Sequence, residues 1–213
     1  MVLIDGSEQA WQAAFLGYDL AVHGGTRLIG AVPTTVDGET AKRLLVEFRT
    51  GARAAGVRFR TSRLRLANDI FLPEDRAGLT ALLLARSGFR DQEHLATVAG
   101  SLPTPLWVVP TYRDLKRALV LHDRHPSPRL IEVANTFART WNWTIEEWWV
   151  GGPSRAAPWP SGPGPVRMDP ERLLGQATSL PGDVCIVSWP PHRLPIWELL
   201  TRLDRPLLVI PSA

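Results

Sequence analysis

The sequence predicts an α/β protein made of two tandem Rossmann-like domains, and three observations carry that prediction. First, the opening MVLIDGSEQAWQAAFLGYDLAVHGGTRLIGAV fits an apolar run, a tight turn, one helix and a second apolar run into the length of a βαβ unit. Second, residues 81–85, ALLLA, are apolar throughout, as a parallel strand covered on both faces must be. Third, the same order of elements restarts in the second half, and each copy closes on an echo: PLWVVP at 105–110 and PLLVIP at 206–211. The predicted domains are 1–112 and 113–213.

Each element of the first copy has a local cause. Val2-Leu3-Ile4 is a short strand, and Asp5-Gly6-Ser7 is the turn that ends it. Ser7 is an N-cap, with Glu8 at the positive end of the helix dipole. Trp11, Phe15, Tyr18 and Val22 recur on one helical face, which is expected to be the buried one. Gly24-Gly25 stops the helix, and 28–32 is the next strand. Residues 37–55 carry Ala41, Leu44, Leu45, Phe48 and Ala52 on one face. A strand over 57–64, a shorter helix over 69–79, the strand 81–85, a helix over 91–99 and the strand 105–110 complete the copy.

The second copy repeats this order. Residues 117–123 form a strand that again runs into an aspartate. A helix with Leu130, Val133, Ala134, Phe137 and Trp141 on one face follows, then a strand over 145–150. Asp169-Pro170-Glu171 supplies a cap, an N1 proline and a first-turn acid. Leu173, Leu174 and Ala177 lie on that helix's inner side. Pro181-Gly182 turns the chain into the strand 183–188, and a helix over 195–203 precedes the last strand. In place of an amphipathic second helix stands GGPSRAAPWPSGPGP, the stretch 151–165, whose Pro and Gly density predicts a loop. Trp159 within it is expected to latch onto the fold.

Composition narrows the class. Of 213 residues, 45% are hydrophobic and 21% charged, the balance of a globular chain. No apolar run is long enough to span a membrane, and the acidic N-terminus does not resemble a secretory leader. The single cysteine, Cys185, lies in the apolar run VCIV and is expected to be a buried thiol. A cytoplasmic location is therefore expected. Eight of the nine tryptophans fall at Trp107 or later, as core fillers or as anchors of a homodimer.

Arg58, Arg60, Arg63 and Arg65 read as charge along one face of an edge strand, which discourages pairing with other chains. Nucleic acid is not expected, since no aromatic residues interleave with them as a stacking platform. His122-Asp123-Arg124-His125 brings two imidazoles close, but without further ligands at zinc spacing it reads as a solvated turn.

VLIDGSEQAWQAA, the ARAAGVRFR passage, DPERLLGQA before GDVCIVS, and the repeated P-L-x-V-[VI]-P ending together resemble the universal stress protein family, as two domains in tandem. That resemblance implies five-stranded parallel sheets of order 3-2-1-4-5 with helices on both faces. It also implies intramolecular pairing of the two domains through 105–110 and 206–211, with Val108 and Val209 near a pseudo-twofold axis. ATP-binding members use an aspartate after strand one and a loop G-x-x-G-x9-G-[ST] after strand four. The glycines of that loop let backbone N–H groups approach phosphates beside a helix N-terminus.

On the same resemblance, the nucleotide positions are Asp5, Gly6, Ser7, Val32, Ser87 and Gly88 in copy one and Asp123 in copy two. The loop itself departs from the pattern in both copies. Copy one reads RSGFRD without a second glycine in place, and Gly100-Ser101 sits where a helix ends. Copy two reads SWPPHR, whose two prolines cannot donate. A small anion could instead meet Arg86, Arg90, His122, His192 and Arg193 at the strand ends.

No catalytic residue and no metal site is assigned. No cofactor is expected, with ATP or another adenine nucleotide as the alternative. The expected function is that of a stress-response interaction or regulatory protein. The alternatives are an adenine-nucleotide sensor acting through the first domain, and an enzyme on a small anionic substrate using His122 or His192.

Overall fold

The computed structural model describes residues 1–67, 70–71, 79–123, 127–151 and 166–211. It divides into two compact units, Met1–Arg113 and Asp114–Ala213. The predicted helix over 69–79 is not borne out at its start, where residues 70–71 are strand instead. Residues 72–78, most of the Pro/Gly-rich stretch 151–165, Trp159 included, and Arg124 and His125 lie outside the described residues.

In the first unit the sheet strands are β1 (Val2–Leu3), β2 (Leu28–Pro33), β3 (Phe59–Leu64), β6 (Leu82–Ala85) and β7 (Leu106–Val109). They lie in the order β3-β2-β1-β6-β7, all parallel, so the five run 3-2-1-4-5. The short β4 (Leu66–Ala67) and β5 (Ile70–Phe71) form a separate antiparallel pair. The helices are α1 (Glu8–His23), α2 (Gly38–Ala54) and α3 (Gln92–Ser101). Each starts at a side-chain cap, of which the sequence predicts Ser7: Ser7 accepts from the N–H of Ala10, Asp37 from Glu39 and Thr40, and Asp91 from His94. The N–H bonds from Thr40 and Glu39 hold the Asp37 carboxyl below the usual carboxylate range. Gly100 and Ser101 fall in the last turn of α3, with Leu102 as its C-cap.

The buried face of α1 differs from the expected one. Ala10, Ala13, Ala14, Leu16, Gly17, Tyr18 and Ala21 are buried, whereas Phe15 and Val22 are 45% and 49% exposed. Small residues let a helix lie close to a sheet, so the large side chains rotate to its outer flank. Phe15 there packs edge-on against Tyr112, whose hydroxyl donates to Asp19. Tyr18 alone of the predicted face points inward, donating its hydroxyl to the Phe48 carbonyl at 3.0 Å, and burial pushes its pKa up to about 12. Gly30 on β2 makes room for this packing, because a Cβ there would sit 2.5 Å from the Phe48 ring.

The β3 arginines also differ from expectation. Phe59 faces Phe48 of α2, and Thr61 receives a hydrogen bond from Arg49 of α2. Strand alternation therefore puts Arg63 on the α2 side with them and Arg60 on the other, while Arg58 and Arg65 flank the strand. The charge occupies both faces of the edge, because the spacing between Arg60 and Arg63 is odd.

In the second unit the strands are β8 (Arg117–Asp123), β9 (Thr144–Val150), β10 (Val166–Met168), β11 (Val184–Trp189) and β12 (Leu207–Pro211). Their order is β10-β9-β8-β11-β12, again parallel and again 3-2-1-4-5. Helices α4 (Pro128–Trp141), α5 (Pro170–Gly175) and α6 (Ile196–Arg202) connect them. Asn142 at φ 54° ends α4 in the left-handed conformation. Phe137, Trp141 and Trp143 stack around that end at centroid distances of 4.5 to 5.7 Å. Arg205 is buried and donates to the carbonyls of Thr178, Leu180 and Gly182, tying the turn before β11 to the start of β12. Cys185 is buried as predicted, and burial pushes its thiol up to about 12. No helix among the described residues is long and apolar enough to cross a membrane.

Candidate functional site

In both units the candidate residues gather where the first and fourth strands end. In the first unit Gly6, at φ 94°, turns the chain out of β1, and Ser7 caps α1. Asp5 is exposed, and its Oδ1 accepts the Ser7 N–H at 2.8 Å. Val32 is fully buried on the neighbouring strand β2.

After β6 the chain makes one 3-10 turn, Arg86–Gly88, instead of a glycine loop. The Ser87 N–H, which would face a phosphate in a cradle, donates to Gln9 Oε1 at 2.9 Å. Gln9 stands on the first turn of α1, so a side chain of this molecule occupies that donor. The Arg90 N–H donates to His94 Nδ1, and Phe89 is buried against the His94 ring.

In the second unit Asp123, at the end of β8, is 4% exposed. Its Oδ2 accepts three consecutive backbone N–H groups, from His192, from Arg193 at 2.7 Å and from Leu194 at 3.2 Å. Converging amides of this kind make an anion-binding nest. Here the anion is the molecule's own carboxylate. The prolines at 190 and 191 suggested a loop without donors, but proline removes only its own N–H. The donors stand one residue further on.

His122 and Asp123 alternate to opposite faces of β8, and both are buried, so the predicted solvated turn does not include them. His122 Nε2 lies 2.9 Å from Glu147 Oε2, and the ring stacks on Trp149, its register partner on β9, at 4.8 Å. Its Nδ1 is buried without a partner. Burial holds the imidazole below its ordinary pKa, against a smaller upward pull from Glu147.

The Arg193 guanidinium donates to the Gly151 carbonyl at 3.0 Å, and His192 contributes its backbone N–H to Asp123. Within the second unit His122 joins Glu147 and Trp149 and Arg193 joins Gly151, while Arg86 and Arg90 are residues of the first unit. No group of three metal-ligating side chains exists among the described residues. Gln9, Glu147 and Leu194 escaped the sequence reading. A half-buried first-turn glutamine, a strand glutamate and a leucine amide carry no motif.

No protein-family model matches the chain, and no curated protein matches it. Solved structures do. A universal stress protein from Archaeoglobus fulgidus superposes with a TM-score of 0.64 at 12% identity, over 100% of this chain and 95% of that one. A functionally unknown protein from Pseudomonas aeruginosa PAO1 gives 0.66 at 13% identity, over 99% and 91%. The cytoplasmic domain of a prokaryotic cation chloride cotransporter gives 0.52 at 12% identity, over 86% and 84%. At such identities the likeness is one of fold, and the fold of this chain is the parallel α/β fold of a universal stress protein.

Proposed function

We propose that the chain is a universal-stress-protein-like interaction or regulatory protein, acting in a stress response in the cytoplasm without holding an adenine nucleotide. One observation carries the reading: the amides of residues 192–194, where strand four ends, are engaged by Asp123. Gln9 at the Ser87 N–H is the counterpart in the first unit. A tethered acceptor competes with a free phosphate at high effective concentration, so a triphosphate would have to displace both. Isothermal titration with ATP, ADP and cyclic AMP tests this, and the expected result is no saturable heat. Micromolar binding that Asp5→Ala abolishes would favour the second reading, an adenine-nucleotide sensor in the first unit. That reading draws on exposed Asp5 beside buried Val32.

Pairing of the two units through 105–110 and 206–211 belongs to the same proposal, supported by the family resemblance and the repeated ending. Separately expressed 1–113 and 114–213 should co-elute on size exclusion, and independent elution would remove that part. A further homodimer is part of the reading, checked by the mass of the intact chain in solution.

A further inference from the structure

We infer that the first unit carries a docking surface for double-stranded nucleic acid, gripping its phosphate backbone without reading its bases. The inference stands apart from the nucleotide question, since it concerns the β3 edge and not the strand ends. Residues 27–65 contain nine Arg and Lys against three Asp and Glu, whereas the rest of the chain is net acidic. Eight of those nine are arginine, the side chain whose planar fork matches phosphate in two-point contact. All nine are exposed, and among the described residues none of them makes an ion pair.

The acceptors that hold these side chains are neutral. Arg58 Nη2 donates to the Gly25 carbonyl at 2.6 Å. Arg63 Nη2 donates to the carbonyls of Thr34 and Val36 at 3.2 and 2.6 Å, and Arg49 Nη2 to Thr61 Oγ1 at 2.8 Å. The Arg53 guanidinium lies 5.8 Å over the Phe59 ring. A neutral acceptor orders a guanidinium without neutralising it, and five N–H donors leave several for a ligand. Ordering before binding lowers the entropic cost of contact. Because Arg60 and Arg63 lie on opposite faces of β3, with Arg58 and Arg65 at its two ends, the charge wraps the sheet edge. From residue 58 to 65 the strand extends about 23 Å at its ordinary rise, against a duplex bearing one negative charge per roughly 1.7 Å.

Other partners fit less well. A single strand would need aromatic platforms, and Phe59 is packed under Arg53 and against Phe48. A bilayer surface calls for an apolar face beside the charge, and Val46 is the one large apolar side chain exposed in this region. A protein interface needs an apolar centre, which is also missing. The sequence argument against nucleic acid rested on the absent stacking platform, which excludes single strands and leaves duplexes untouched.

Fluorescence anisotropy of the full chain with a labelled DNA duplex, an RNA duplex and a single strand tests the inference. Duplex binding should be indifferent to sequence, and with four to five phosphate contacts log K should fall against log salt with a slope of roughly −4. Arg60→Glu with Arg65→Glu changes two guanidiniums that make no hydrogen bond among the described residues, so the melting temperature should hold while low-salt affinity falls about tenfold or more. Arg60→Lys with Arg65→Lys should keep most of the affinity, and Arg172→Glu in the other unit should leave it unchanged. Absence of duplex binding at low salt, tighter binding to the single strand, or an unchanged affinity in the Glu double variant would overturn the proposal.

Discussion

Asp123 spends one carboxylate oxygen on three N–H donors while the other, Oδ1, is buried and unpaired. Removing the side chain strands the buried Leu194 amide and takes the acceptor from the part-buried amides of His192 and Arg193, so Asp123→Ala should lose about 1–3 kcal/mol of stability in urea titrations. Free sulfate or phosphate should then enter the vacated nest. At matched ionic strength, replacing chloride with sulfate should raise the melting temperature of Asp123→Ala more than that of the wild type. Sulfate stabilises most proteins by exclusion from their surface, so the difference between the two chains is the readout. Equal shifts would mean the amides do not form an anion site.

Among the elements, α1 and α2 show what sequence can and cannot reveal. The caps at Ser7 and Asp169 were legible, because an Asp or Ser oxygen accepting N–H bonds is a local event. The strand positions followed from apolar runs for the same reason. The buried side of α1 was not legible: apart from Leu16 and Tyr18 its buried residues are alanines and glycine, too weakly hydrophobic to outvote the larger Trp11, Phe15 and Val22. At three residues, VRM, β10 is too short to show a period of two. The donors at residues 192–194 were invisible because a backbone amide's direction depends on the path of the loop and not on residue type.

The contact between β2 and α2 gives this scale its prediction. With 2.5 Å between a Cβ at Gly30 and the Phe48 ring, Gly30→Ala should cost about 1–3 kcal/mol in chemical denaturation. Phe48→Leu in the same chain should recover part of that loss, a coupling that a double-mutant cycle measures. Additive losses would show that α2 shifts away from the sheet as a whole.

For the molecule as a whole, His122 links stability to acidity. The folded imidazole binds a proton less readily than a free imidazole, whose ordinary pKa is 6.5, chiefly through burial. The unfolded chain therefore takes up the proton first as acidity rises. The His122 contribution is fully present above pH 6.5, declines as pH falls towards the folded pKa, and changes no further below it. Urea midpoints of the wild type between pH 8 and 5 should show this decline, and His122→Gln should flatten it. An unaltered slope in the variant would assign the acid sensitivity to other groups.

The carboxylate seated in its own amide nest has one more consequence. A domain that relies on a metabolite for its last increment of stability becomes firmer or looser as that metabolite rises and falls, by mass action. Here the counter-ion is part of the polypeptide and its supply never varies. The second unit should keep the same rigidity in starved and well-fed cells alike.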